Sequence, residues 1–91
     1  MRFEVTQRDI SRGQVVDRYR CPVALSMRRK LRREVDVMKY WWASPGGVKH
    51  AFPEEVSDWI EDFDTWGQDC VRPFTFDLEI PEDSDVRSSE G

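Results

Sequence analysis

Val35-Asp36-Val37-Met38-Lys39-Tyr40-Trp41-Trp42-Ala43-Ser44-Pro45-Gly46-Gly47-Val48-Lys49-His50-Ala51-Phe52 is the stretch on which the fold turns. Its first nine residues are rich in strand formers, and Ser44 to Gly47 is a strong turn signal. Val48 to Phe52 can return as a short strand, so the stretch predicts a hairpin. In a strand, Trp41 and Trp42 must point to opposite faces. If Val35 to Ala43 is one continuous strand, Val35, Val37 and Trp41 share the buried face. Met38, Tyr40 and Trp42 then lie on the open face.

The flanks extend this pattern. On the N-terminal side, Phe3 and Val5 alternate with Arg2, Glu4 and Thr6, which predicts a short strand with one buried face. Ser11 to Gln14 reads as a polar turn, and Val15 to Arg20 carries no clear pattern. Cys21-Pro22 opens a helix, with proline suited to the first helical position. Val23, Ala24, Met27 and Leu31 form its apolar stripe. On the C-terminal side, Pro53 opens a second helix whose Val56, Trp59, Ile60 and Phe63 recur at i, i+3, i+4 and i+7. Gly67 ends it. Phe74, Phe76, Leu78 and Ile80 then alternate with polar residues between Pro73 and Pro81, an unambiguous strand.

The order β-α-β-β-α-β predicts an α+β fold with two helices on one face of a small antiparallel sheet. The ferredoxin-like arrangement satisfies it. A three-stranded variant results if the second strand or the hairpin return drops out. Residues 1–81 form the expected single globular domain, and residues 82–91 an acidic tail expected to be disordered.

Charge is laid out unevenly. Residues 1–50 carry a balance of +7 and residues 51–91 a balance of −11. The basic peak is Arg28, Arg29, Lys30, Arg32 and Arg33, at the end of the first helix. The acidic peak runs along the second helix through Glu54, Glu55, Asp58, Glu61 and Asp62. Such asymmetry fits a chain that presents charged surfaces to a partner or pairs with itself as a homodimer. The basic helix end could grip phosphate, which makes a small nucleic-acid-binding regulator the alternative function. The acidic half would repel a nucleic-acid backbone, so nucleic acid is the less favoured partner.

Several classes recede. There is no apolar run near the roughly 20 residues that span a bilayer, and no apolar stretch of a signal peptide follows Met1. A cytoplasmic protein is expected, in the host cell if phage-encoded, with no membrane partner. Cys21 and Cys70 read as free thiols, or as a disulfide that sequence cannot settle. Together with His50 they give three soft ligands without a C-x-x-C pair, so no zinc or other cofactor is expected. Asp58, Glu61, Asp62 and Asp64 lack the loop spacing of a calcium site. Cys21 before a helix could be a reactive thiol and His50 a general base, but neither has an evident catalytic partner. The chain is therefore expected not to be an enzyme.

Val5-Thr6-Gln7-Arg8-Asp9-Ile10-Ser11-Arg12-Gly13, Cys21-Pro22-Val23-Ala24-Leu25 and Phe63-Asp64 through Pro73-Phe74-Thr75-Phe76-Asp77-Leu78 together resemble a family of small uncharacterised bacteriophage and bacterial proteins. Those carry V-T-x-x-D-I-x-x-G, C-P-V-A-L-A and F-D…P-F-x-F-x-L segments in this order. Here Ser26 replaces the usual small alanine, and Trp41-Trp42 lies outside the pattern. The family carries no assigned activity. The resemblance implies a small accessory protein that binds, blocks or mimics. The expected partner is a host or defence-system protein, contacted through Tyr40 and Trp42 as aromatic anchors and through Glu54, Glu55, Asp58, Glu61 and Asp62 as the charged surface.

Overall fold

A computed structural model describes residues 1–44 and 46–80. The expected tail, 82–91, lies outside them. The chain runs β1 (Arg2–Val5), α1 (Gln7–Arg12), α2 (Pro22–Leu31), β2 (Asp36–Val37), β3 (Trp41–Ala43), β4 (Lys49–Ala51), α3 (Glu54–Trp66), a one-turn 3-10 helix (Gln68–Cys70) and β5 (Phe74–Asp77). The α+β class is as expected. The strands, however, divide into two antiparallel sheets, β1-β5 and β2-β3-β4.

The division follows from the middle of the chain. Val35 to Ala43 is not one strand. The Met38 N–H donates to the Trp41 carbonyl at 2.8 Å, and the chain reverses there. β2 then pairs with β3, Val37 facing Trp42. A reversal changes which residues share a face, and that corrects the assignment of Trp42. Val37 is buried, so Trp42 opposite it is buried too, at 2% exposure. His50 in β4 faces Trp42 from the other side, its ring 4.6 Å away. Trp42 is core and is not available as an anchor. Trp41 takes the outer face instead, half-buried.

A second difference is α1, a helix that the sequence did not announce and that runs into Ser11 and Arg12, where a polar turn over Ser11 to Gln14 was expected. Thr6 and Asp9 form a reciprocal cap. The Asp9 N–H donates to Thr6 Oγ1 at 3.2 Å, and the Thr6 N–H donates to Asp9 Oδ2 at 2.9 Å. Two of the otherwise unpartnered donors at a helix start are thereby satisfied. α1 buries only Asp9 and Ile10. Gly13 follows it against Pro22, where a Cβ would meet Cδ and Cγ at 2.6 Å. This close approach packs α1 onto α2.

α2 and α3 behave as their stripes predict. α2 buries Val23, Ala24 and Met27, with Leu31 packed beside them, and lies against β1. Cys21 caps it, Sγ accepting the Ala24 N–H at 3.5 Å. α3 buries Val56, Ile60 and Phe63. Trp59, on the same stripe, is half-buried and donates through Nε1 to the Arg72 carbonyl at 2.9 Å. Its ring stacks on Phe63 and Phe74, and Phe74 on Phe76, and Phe76 on Phe3, with centroids 4.9 to 5.8 Å apart. This row of rings ties α3 to the β5-β1 sheet. Among the described residues, no helix is long and apolar enough to cross a membrane.

Candidate functional site

α3 presents its acidic side outward. Glu54, Glu55, Asp58, Glu61 and Asp62 are all exposed. The stripe at Val56, Ile60 and Phe63 faces the core, and helical spacing sends these carboxylates to the opposite side. Glu54 and Glu55 also suit the positive end of the helix dipole. Lys39 reaches Glu61 at 3.7 Å and thereby joins the β2–β3 turn to α3. Tyr40, the next residue, is 64% exposed. The expected aromatic anchor and the acidic row therefore meet along the Lys39–Glu61 bridge, without Trp42.

Three cations at the basic end of α2 are engaged away from that row. Arg28 pairs with Glu34 at 3.6 Å. Arg29 grips the buried Asp9 carboxylate, Nη1 to Oδ1 at 2.6 Å and Nη2 to Oδ2 at 3.1 Å, and also donates to the Glu4 carbonyl. Lys30 donates to the Arg2 carbonyl and lies over the Phe3 ring. Arg32 is the left-handed C-cap of α2, and Arg33 follows it half-buried. Three of the five cations thus hold α1, β1 and the chain after α2 in place, which weakens the nucleic-acid reading. A hollow of about 380 Å³ lies beside Arg2, Arg29 and Lys30. Arg2 is engaged as well, with Asp77 at 3.2 Å.

A larger cleft of about 410 Å³ opens between residues 16–21, the β2–β3 turn and α3. Cys21, Val37 and Ile60 are buried and contribute to its apolar wall, while Val16 and Met38 stand exposed at its mouth. Its size falls within the roughly 300–1,000 Å³ of ligand-binding clefts. Val16 is unusual. It has φ of 52°, a conformation that crowds a β-branched side chain, and it is 77% exposed. Asp64 of α3 holds it there, Oδ1 accepting the Val16 N–H at 2.9 Å.

Cys21 lines this cleft as a buried free thiol. It is 5% exposed, and its thiol is pushed up to about 12, chiefly by burial and further by the Asp64 and Asp17 carboxylates. A thiol that keeps its proton attacks poorly. Cys70 is exposed and also free. His50 packs its ring, tilted, against Trp42 and does not line the cleft. No group of three or more metal-ligating side chains occurs among the described residues.

Sequence reasoning missed the outer face of the three-stranded sheet. Arg18 lies 6.0 Å from both the Tyr19 and Trp41 rings, and Lys49 Nζ lies 4.6 Å from Trp41. The Val37 N–H donates to the Arg18 carbonyl, so residue 18 runs alongside β2. The signal was faint, since Val15 to Arg20 has no periodicity and only the pairing of strands brings Arg18 to Trp41. No protein-family model, curated protein or solved structure matches this chain.

Proposed function

We propose that this chain is a small non-enzymatic binding module that engages a protein partner through the outer side of α3 and the adjoining Tyr40. In the phage-type setting implied by its sequence resemblance, the partner is a host or defence-system protein of the cytoplasm. The module acts by occupying a surface of that protein, in the manner of an inhibitor or a nucleic-acid mimic. One observation carries this reading. Five carboxylates lie exposed along one helix, and the cations Arg28 and Arg29 that could have neutralised them are committed to Glu34 and Asp9. A row of like charges destabilises a helix by self-repulsion unless a complementary surface covers it. The exposed Tyr40 ring beside it supplies the rigid apolar contact that such interfaces use as anchors.

The test compares affinity capture from host lysate by the native chain and by a variant with Glu54, Glu55, Asp58 and Asp62 each changed to lysine. A protein held by the native chain, and lost by a variant of unchanged melting temperature, supports the reading. A protein retained equally by both overturns it. Nuclease-sensitive retention that depends on Arg32 and Arg33 would transfer the function to nucleic-acid binding.

A further inference from the structure

We propose that the cleft beside α3 receives a basic side chain, an arginine or lysine, inserted by the protein partner. This rests on the binding-module reading and adds the chemistry of the contact.

The walls suit the stem of such a side chain. Val16 and Met38 offer apolar surface above the buried Val37, Ile60 and Cys21. Lysine and arginine bury their methylenes along apolar surface while their charged ends seek polar partners. The rim suits the cation. Its own cations are already used. Arg18 Nε donates to Asp36 Oδ1 at 2.8 Å, with its Nη2 on the second oxygen, and Lys39 sits between Glu61 and the Tyr40 ring. Asp17 and Asp64 also line the cleft and have no cationic partner among the described residues. Each is engaged through Oδ1 alone. Asp17 accepts from the Tyr19 and Arg20 N–H groups, and Asp64 accepts from the Val16 N–H.

Both carboxylates are thus fixed in position by backbone donors, with Oδ2 left for a visitor. Both raise the Cys21 thiol, so their field reaches the cleft floor. An acidic side chain would meet this field unfavourably, and an apolar one would leave both carboxylates facing it unpaired. The Val16 backbone is held in its crowded conformation by the Asp64 carboxylate. Its N–H therefore reports on any cation that draws on that oxygen pair.

The experiment is a titration of the full isotope-labelled chain with N-acetyl-arginine amide, followed by amide chemical shifts. N-acetyl-citrulline amide, of the same shape without the charge, is the comparator. The expected result is saturable shifts at Val16, Asp17, Val37 and Asp64 with an affinity of about 1 mM. The citrulline analogue should bind about tenfold more weakly. The variant Asp17→Asn with Asp64→Asn keeps both Oδ1 acceptors, and therefore the loop, but should lose binding by a similar factor. Glu79→Gln, at an exposed carboxylate away from both the cleft and α3, should leave binding unchanged.

Equal binding of arginine and citrulline amides overturns the proposal. So do shifts confined to Glu54 to Asp58, and shifts of the cleft amides of equal size with N-acetyl-glutamate amide. Absence of saturable shifts removes the cleft as a receptor. Lysate capture that still depends on the α3 carboxylates would then show that only the cleft assignment has failed, with the binding-module reading intact.

Discussion

Trp42 shows how much a single parity decides. Its neighbours Val37 and His50 enclose it, so Trp42→Ala should cost about 3–5 kcal/mol, enough to unfold so small a domain. Tyr40→Ala should stay within about 0.5 kcal/mol of the native chain while weakening partner binding by about 2 kcal/mol. Urea melts of the two variants, with a binding measurement on the second, test both claims. Destabilisation by Tyr40→Ala with none by Trp42→Ala would reverse the assignment of faces. Tyr40, expected exposed, lies exposed within a reversal that has no glycine or proline, and Trp42, just past that reversal, is the residue that sequence misplaced. Nothing in Met38-Lys39-Tyr40 announces a turn, and an alternation counted through it comes out inverted.

Cys21 offers a pH test at the same scale. Its folded value, about 12, lies above the ordinary 9. The unfolded thiol loses its proton first as pH rises, which draws the equilibrium toward the unfolded chain. The thiol's contribution is therefore fully present below pH 9 and lost on the way to pH 12. Between about pH 8 and pH 10.5 the native chain should lose about 2 kcal/mol more than a Cys21→Ala variant does. A constant difference between the two would mean that the thiol is not desolvated. Under native conditions an aromatic disulfide reagent should label Cys70 quickly and Cys21 only on unfolding.

At the scale of elements, α3 and β5 were legible because their periods are clean and each spans enough residues to repeat. α2 was legible from Pro22 and its stripe. α1 was not, since six residues with one apolar position, Ile10, show no period. Its signal was the Thr6-x-x-Asp9 cap, a pairing of side chain and backbone that hydropathy does not see. The candidate site was legible as composition, in the acidic row. The cleft was not, because it assembles residues from three separate segments. α3 is held through Trp59 by ring stacking and one hydrogen bond. Trp59→Phe keeps much of the first and removes the second, and should cost about 1 kcal/mol. Trp59→Ala loses both and should cost about 3 kcal/mol or more. An unchanged melting temperature for Trp59→Ala would contradict the docking of α3 on β5. Gly13→Ala should destabilise by about 1–3 kcal/mol, because the new methyl group drives Pro22 away from α1.

For the molecule as a whole, +7 against −11 is a division along the chain more than across its surface. Much of the positive charge closes contacts inside the fold, as with Arg29 on Asp9 and Arg18 on Asp36. On α3 the negative charge is displayed, at Glu54, Glu55, Asp58 and Asp62. Two copies could still set the end of α2 against α3 in a two-fold pair. With Arg28 and Arg29 already engaged, sedimentation should give one unchanged mass at low and high salt. A heavier species at low salt would mean that the second copy is itself a partner. Association with a basic partner protein should slow as salt is added, since the Debye length shrinks from about 10 Å at 0.1 M to about 3 Å at 1 M.

The pairing of β1 with β5 has a consequence for the order of synthesis. Arg2 meets Asp77, and Leu78 exchanges hydrogen bonds with Met1. β1 must wait for β5 to be made, at a ribosome adding about 5–20 residues per second. Throughout that interval Phe3 and Val5 lack the Phe74 and Phe76 rungs opposite them, and the edge of β1 stands unpaired. Such an edge is a template for other chains. A nascent or truncated product ending before Phe74 is therefore the form of this protein most exposed to aggregation and to capture by chaperones, whatever stability the finished domain attains.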